Sequence, residues 1–291
     1  MMGYRIFVLC LKQLLVNWKI ALRLSWFWAL AIVVVYLGML TITNASFVNM
    51  TGDGGGNGMT AKSGLLFLPI WLVLFFAITI GPASIAIGWH RYVLRGEIPR
   101  SPYFLPAEKT FWPYIWRGFK VGLKVVLVIL PLFVIMAFAM TSVLPGMFAM
   151  QPSGAVPTSF LVASTIGNLL MMTLVSWLTM RMGLGLPGTA VGQDVRSSAS
   201  WKVTGPISGA LFTAAILVAV LLAIPSLLAA LIAGIFPIQS GDMVENMLSG
   251  SAHFWNLFPV PIYLAFSIVS FFVGFGILTV VYGHLQEGKP I

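Results

Sequence analysis

The sequence predicts an all-α integral membrane protein with six transmembrane helices and three interfacial amphipathic helices. Three observations lead there: scarce charge, six long apolar runs and a one-sided distribution of Lys and Arg. Hydrophobic residues make up 59% of the chain and charged residues 8%, whereas an ordinary soluble domain carries roughly 25% charge. A soluble fold of 291 residues would have too few charges to cover its surface. The length fits a single membrane domain, 1–291.

The six runs are Ala21–Ile42, Gly64–Trp89, Val121–Leu144, Ser159–Met180, Ile207–Phe236 and Phe254–Tyr282. Each meets the need for about 20 apolar residues to cross a hydrocarbon core. The first is too long for a cleavable signal and follows a segment that itself reads as structured, so it is expected to be retained. Charge sets the orientation. Only Lys62 of the 16 Lys and Arg lies in the connections between spans 1–2, 3–4 and 5–6. The opposite side carries 15 cations against four acids (Glu97, Glu108, Asp194, Glu287), a balance of +11. The Lys62 side carries one cation against three acids (Asp53, Asp242, Glu245), a balance of −2. The positive-inside rule then places both termini in the cytoplasm. The sequence pI near 9.9 matches an anionic inner leaflet and calls for no nucleic acid.

A Trp–basic pair precedes each odd-numbered span: Trp18-Lys19, Trp116-Arg117 and Trp201-Lys202. The recurrence predicts one interfacial helix plus a transmembrane hairpin used three times, over about 1–90, 91–186 and 187–291. In the first unit Arg5, Lys12, Lys19 and Arg23 fall within an arc of about 40° at 100° per residue. Phe7, Leu11, Leu14 and Trp18 lie on the opposite side. A cationic stripe on an apolar helix suits the membrane interface, with stems buried and heads at phosphate. In the second unit Arg117, Lys120 and Lys124 form the stripe, and Trp112, Trp116, Phe119 and Leu123 take the other face. The third unit is weaker, with Arg196 and Lys202 among serines. These seven cations of the first two units are the candidate lipid-headgroup residues.

The even spans end alike, in "HRYVLRGEIP", "RMGLGLPG" and "YGHLQEGKP". Gly relieves a helix C-terminus, Pro prevents its continuation, and cations complement its dipole and lipid phosphate. His90 and Arg91 are therefore expected to finish a helix rather than to bind metal. Cys10, the single cysteine, excludes an intramolecular disulfide and reads as a small apolar side chain. The glycine-rich stretch Thr51–Gly64 follows no strand, so it is not a phosphate loop. Gly118/Gly122, Gly188/Gly192 and Gly205/Gly209 are spaced for close helix approach. Pro69, Pro82, Pro131 and Pro225 fall inside spans and read as tolerated kinks.

No Asp, Glu, Lys, Arg or His lies deep in a span, which counts against a proton-coupled carrier and an intramembrane metalloprotease. The most polar span is the fourth, with Ser164, Thr165, Asn168, Thr173, Ser176 and Thr179. Asn168 is its candidate polar site, read first as an interhelical hydrogen-bonding residue. Catalytic and metal-binding sets are not evident, and no cofactor is expected.

"GLPGTAVGQDVRSSASWKVTGP" resembles a cytoplasmic connection of the membrane domain attached to some glycerophosphoryl diester phosphodiesterases. It also resembles related uncharacterised multi-pass inner-membrane proteins. The matching positions are Leu186-Pro187, Ala190, Ser200-Trp201 and Thr204-Gly205. "WHRYVLRGE" and "YGHLQEGKP" resemble short proteins of this kind from alphaproteobacteria. The resemblance implies a six-span bacterial inner-membrane protein and lends no catalytic residue, since the phosphodiesterase catalytic domain has no counterpart here. The functional expectation is a non-enzymatic membrane protein that binds anionic lipid or a membrane-protein partner through its basic collar. The alternative is a carrier or flippase for a lipid-like or weakly polar solute.

Overall fold

The computed structural model describes residues 2–51, 61–99, 109–149, 158–193, 197–235 and 259–288. Among these it is 92% helical and has no strand. The helices are α1 Met2–Val16, α2 Trp18–Thr51, α3 Ala61–Arg95, α4 Phe111–Ala149, α5 Thr158–Met182, α6 Gly185–Ala190, α7 Ser197–Val203, α8 Ser208–Ile235 and α9 Pro259–Glu287. A 3-10 turn, Gly205–Ile207, leads into α8. Asp53, Arg100, Glu108, Asp194, Arg196, Asp242, Glu245, His253 and most of the glycine-rich stretch lie outside the described residues.

Six helices of 25 to 39 residues coincide with the six apolar runs. Three stretches among the described residues, Phe111–Met136, Gly205–Pro225 and Ala265–Glu287, are long and apolar enough to cross a membrane. Only 11% of the α4 stretch is covered by protein, against 50% of that in α9. Helix α9 is thus central and α4 peripheral. Val126, Leu127, Phe133 and Phe138 of α4 stand exposed. An apolar helix left uncovered by protein needs another apolar medium, which the membrane supplies. The four span prolines lie inside unbroken helices, as tolerated kinks should.

The described core is concentrated at one end of the bundle. Buried side chains come from the starts of α2, α4 and α8 and the ends of α3, α5 and α9. That is the end where the sequence collects its cations. Helix α1 lies across it, packed on α8 and α9. Gly3, Ile6, Cys10 and Leu14 form its buried face, centred some 155° from the Arg5–Lys12 side at 100° per residue. The expected apolar face of Phe7, Leu11, Leu14 and Trp18 is therefore displaced: Phe7 and Leu11 are half-buried and Trp18 is exposed. Small residues explain the shift. A Cβ on Gly3 would strike the Ala210 backbone carbonyl, and one on Gly276 would meet the Cys10 Cβ at 3.3 Å. Cys10 fills that space as a small apolar group, and burial pushes its thiol up to about 12.

The three lead-in segments differ in form. Helix α1 is separate from α2, with a turn at Asn17. The second lead-in is not a separate interfacial helix: α4 runs unbroken for 39 residues from Phe111. The third is α7, seven residues long, followed by the 3-10 turn. Most of the spaced glycines face open space, although a Cβ on Gly118 would meet Leu186 Cδ2 at 3.9 Å. A Cβ added at Gly122, Gly192, Gly205 or Gly209 would meet nothing within 4 Å. Spacing identifies where a groove could form, but only a neighbouring helix fills it.

Candidate functional site

At the centre of the packed end sits α6, a six-residue helix with every residue buried. Its sequence, Gly-Leu-Pro-Gly-Thr-Ala, reads as a loop, yet α3, α4 and α9 enclose it. Its C-terminus is a Schellman motif: Gly192 has φ 78°, Gln193 N–H donates to Gly188 O at 2.7 Å and Gly192 N–H to Thr189 O at 3.0 Å. Carbonyls left over at a helix end need donors, and arginines supply them. Arg91 Nε donates to Ala190 O at 2.9 Å, Arg95 Nη2 donates to Val191 O, and Arg91 Nη2 reaches Thr110 Oγ1 at 2.7 Å. Arg117 Nη1 donates to Gly185 O at 3.1 Å and to Thr189 Oγ1.

Two expectations change here. Arg91 and Arg95, in the last two turns of α3, reach across to α6; Arg91 is half-buried, while Arg95 stays exposed and also lies 3.8 Å from Glu97 Oε1. Arg117, expected in the headgroup stripe, is half-buried and binds α6. The chain does end α3 at glycine: Gly96 has φ 71°, and its N–H donates to Tyr92 O at 2.9 Å.

His90 is fully buried and joins α3, α4 and α9. Nδ1 lies 2.7 Å from Thr279 Oγ1, and Nε2 lies 3.2 Å from the Tyr114 hydroxyl. Thr279 already donates its hydroxyl proton to Phe275 O at 2.7 Å, so its oxygen accepts from His90 Nδ1–H. Nε2 then accepts from Tyr114. The tautomer follows from counting donors and acceptors. Both nitrogens are engaged, so His90 is an interior cross-link rather than a helix-end residue facing solvent. No group of three His, Cys, Asp or Glu side chains converges among the described residues.

Arg181, at the end of α5, is held between two indoles. Its guanidinium lies 3.5 Å from the Trp201 ring centre and 5.4 Å from that of Trp177. It donates to Trp201 O at 3.1 Å and lies 3.5 Å from Thr204 Oγ1. Sequence reasoning missed this clamp, although Trp177 and Arg181 are four apart and so adjacent on one helix face.

The remaining candidate cations stay on the surface. Arg5, Lys12, Lys19, Arg23, Lys120 and Lys124 are exposed, with Lys120 Nζ 5.1 Å from the Trp116 ring centre. Exposed Trp112, Trp116 and Phe119 flank them on α4. One cavity borders this surface, and another lies away from it. One, of about 400 Å³, lies among α1, the end of α3 and α9, and is lined by Lys12, Gln13, Asn17, Val93 and Val280. The other, of about 300 Å³, lies between α5 and α8, where Thr165, Asn168 and Met172 face Ala219, Leu222 and Leu227. Asn168 is exposed and lines that second cavity.

Fold and site together define an all-helical protein with membrane-competent helices and a densely packed, cation-rimmed end. The chain matches no family model, no curated protein and no solved structure in the comparisons made.

Proposed function

We propose that this is a non-enzymatic, six-span protein of the bacterial inner membrane, with both termini cytoplasmic, that binds anionic phospholipid at its basic end. The observation that carries the reading is the exposure of Arg5, Lys12, Lys19, Arg23, Lys120 and Lys124 around one end of the bundle. Exposed Trp18, Trp112 and Trp116 stand beside them, and amphipathic rings favour the membrane–water interface. In this reading α1 lies in the interface plane, and the Trp–basic pairs mark three units whose lead-in segments have diverged in form. A membrane-protein partner would dock on the same collar. Kinship with the phosphodiesterase-linked membrane domain fits the reading and adds no activity to it.

A Lys or Arg near an anionic surface contributes about 1 kcal/mol before screening. Lys12, Lys19 and Arg23 changed together to Gln should therefore strip anionic phospholipid from the purified protein while the spans keep it membrane-inserted. Native mass spectrometry counts the retained lipids, and an unchanged count would refute the collar. A second reading, a carrier or flippase for a lipid-like solute, is favoured by the α5–α8 cavity at Asn168. In vesicles, Asn168→Leu would slow lipid translocation under that reading and leave it untouched under the first.

A further inference from the structure

The cavity among α1, α3 and α9 has features beyond those of a general cationic surface. Its walls are apolar over most of their area, with Leu9, Val93 and Val280 among them. Lys12 stands exposed at its edge. Among its buried side-chain polar atoms, one stands unpartnered. Asn17 accepts from the Tyr92 hydroxyl at 2.7 Å and donates to Gln13 O at 2.8 Å. Thr279 donates to Phe275 O and accepts from His90. Gln13 Oε1 is buried and has no hydrogen-bond partner among the described residues. A buried acceptor without a donor is costly, so such an atom points to a ligand that supplies one.

We infer that this groove holds the headgroup of a single anionic phospholipid bearing a hydroxyl on that headgroup. The phosphodiester pairs with Lys12, and the partly exposed Gln13 side chain turns its amide into the groove so that Oε1 accepts from the headgroup hydroxyl. The inference rests on the lipid-binding reading above and narrows it to one site and one headgroup chemistry. A cavity of about 400 Å³ lies within the usual range for ligand sites, roughly 300–1,000 Å³. Each acyl tail must reach half of a core about 30 Å thick, so the tails leave the groove for the lipid side of the bundle. The apolar walls then cover the first carbons of the tails, which a soluble phosphate ester lacks.

The test uses the purified full chain in nanodiscs of neutral lipid doped with phosphatidylglycerol or phosphatidylmethanol. Both carry one negative charge, and only the first has headgroup hydroxyls. Native mass spectrometry should find one phosphatidylglycerol retained about fivefold more strongly than phosphatidylmethanol, the worth of one ordinary hydrogen bond. Lys12→Gln should weaken both lipids by about fivefold. Gln13→Leu should abolish the preference and leave the charge-dependent part. Equal retention of the two lipids by the wild type overturns the inference without any variant, which covers the case in which Gln13→Leu does not fold. A preference that survives Gln13→Leu overturns it too. Millimolar glycerol phosphate should not displace the lipid, and displacement would overturn a lipid occupant. Lys19→Gln with Arg23→Gln, outside the groove, separates the two readings. Lipid loss there without headgroup preference in the wild type refutes the groove and keeps the collar. Unchanged lipid in every variant refutes both.

Discussion

Replacing His90 by leucine would break two hydrogen bonds with unequal consequences. Thr279 keeps a use for its proton, because its hydroxyl donates to Phe275 O in any case. The buried Tyr114 hydroxyl instead loses the acceptor that His90 Nε2 provides. An orphaned buried polar group costs about 1–3 kcal/mol, and the change of side-chain shape adds up to about 1.5 kcal/mol. His90→Leu should therefore destabilise by about 1–4.5 kcal/mol. Tyr114→Phe alone should also destabilise, since it leaves Nε2 without a donor. In the double variant neither orphan remains, so its cost should fall short of the sum by both penalties, about 2–6 kcal/mol. Reversible unfolding in mixed mild detergent and dodecyl sulfate, followed by far-UV circular dichroism, measures all corners of this cycle. Additivity within about 0.5 kcal/mol would refute the directed chain from Tyr114 through His90 to Thr279.

Two further outcomes are expected from the same geometry. Arg181→Lys should recover only part of the stability lost in Arg181→Ala. Lysine restores charge near the indoles but not the planar fork that reaches Trp201 O and Thr204. Equal stability of the lysine variant and the wild type, by thermal unfolding in detergent, would refute the clamp. For topology, single cysteines at Asn57 (outside the described residues) and at Ser198 should react with an impermeant maleimide from opposite membrane faces. Native Cys10 should stay unlabelled at pH 8, being buried with its thiol held near 12. Same-side labelling of the two new cysteines would refute the six-span arrangement.

The long helices were legible because a run of apolar residues is a property of one segment alone. The glycine stop at Gly96 was legible for the same reason, since a positive φ is a local demand. What stayed hidden depends on two segments meeting. Arg91, Arg95 and Arg117 look like interfacial cations until α6 places its carbonyls beside them. Helix α6 itself was hidden by its composition, because Gly and Pro signal a turn unless tertiary contacts enclose it. Gly3 and Gly276 belong to no spaced pair, yet they admit close neighbours that Gly205 and Gly209 lack. For the candidate site, the exposure of Arg5, Lys12, Lys19 and Arg23 could be read from periodicity, but not the turn at Asn17 that divides them between α1 and α2. Gln13 could not, because its significance is an unsatisfied acceptor in a cavity that also needs α3 and α9.

The seating of α1 on α8 and α9 also bears on how the protein is made. Helix α1 is made well before α8 and α9, its native neighbours. About 250 residues separate Met2 from Pro259, which at roughly 5–20 residues per second is about 10–50 s of synthesis. Until α8 and then α9 are made, Ile6, Cys10 and Leu14 lack their native cover, and a bilayer surface would be an apolar shelter. Helix α6 faces a shorter delay, of about 70 residues from Ala190 to Pro259, since α9 completes its enclosure. The packed end therefore forms late in synthesis, only after α9 has been made.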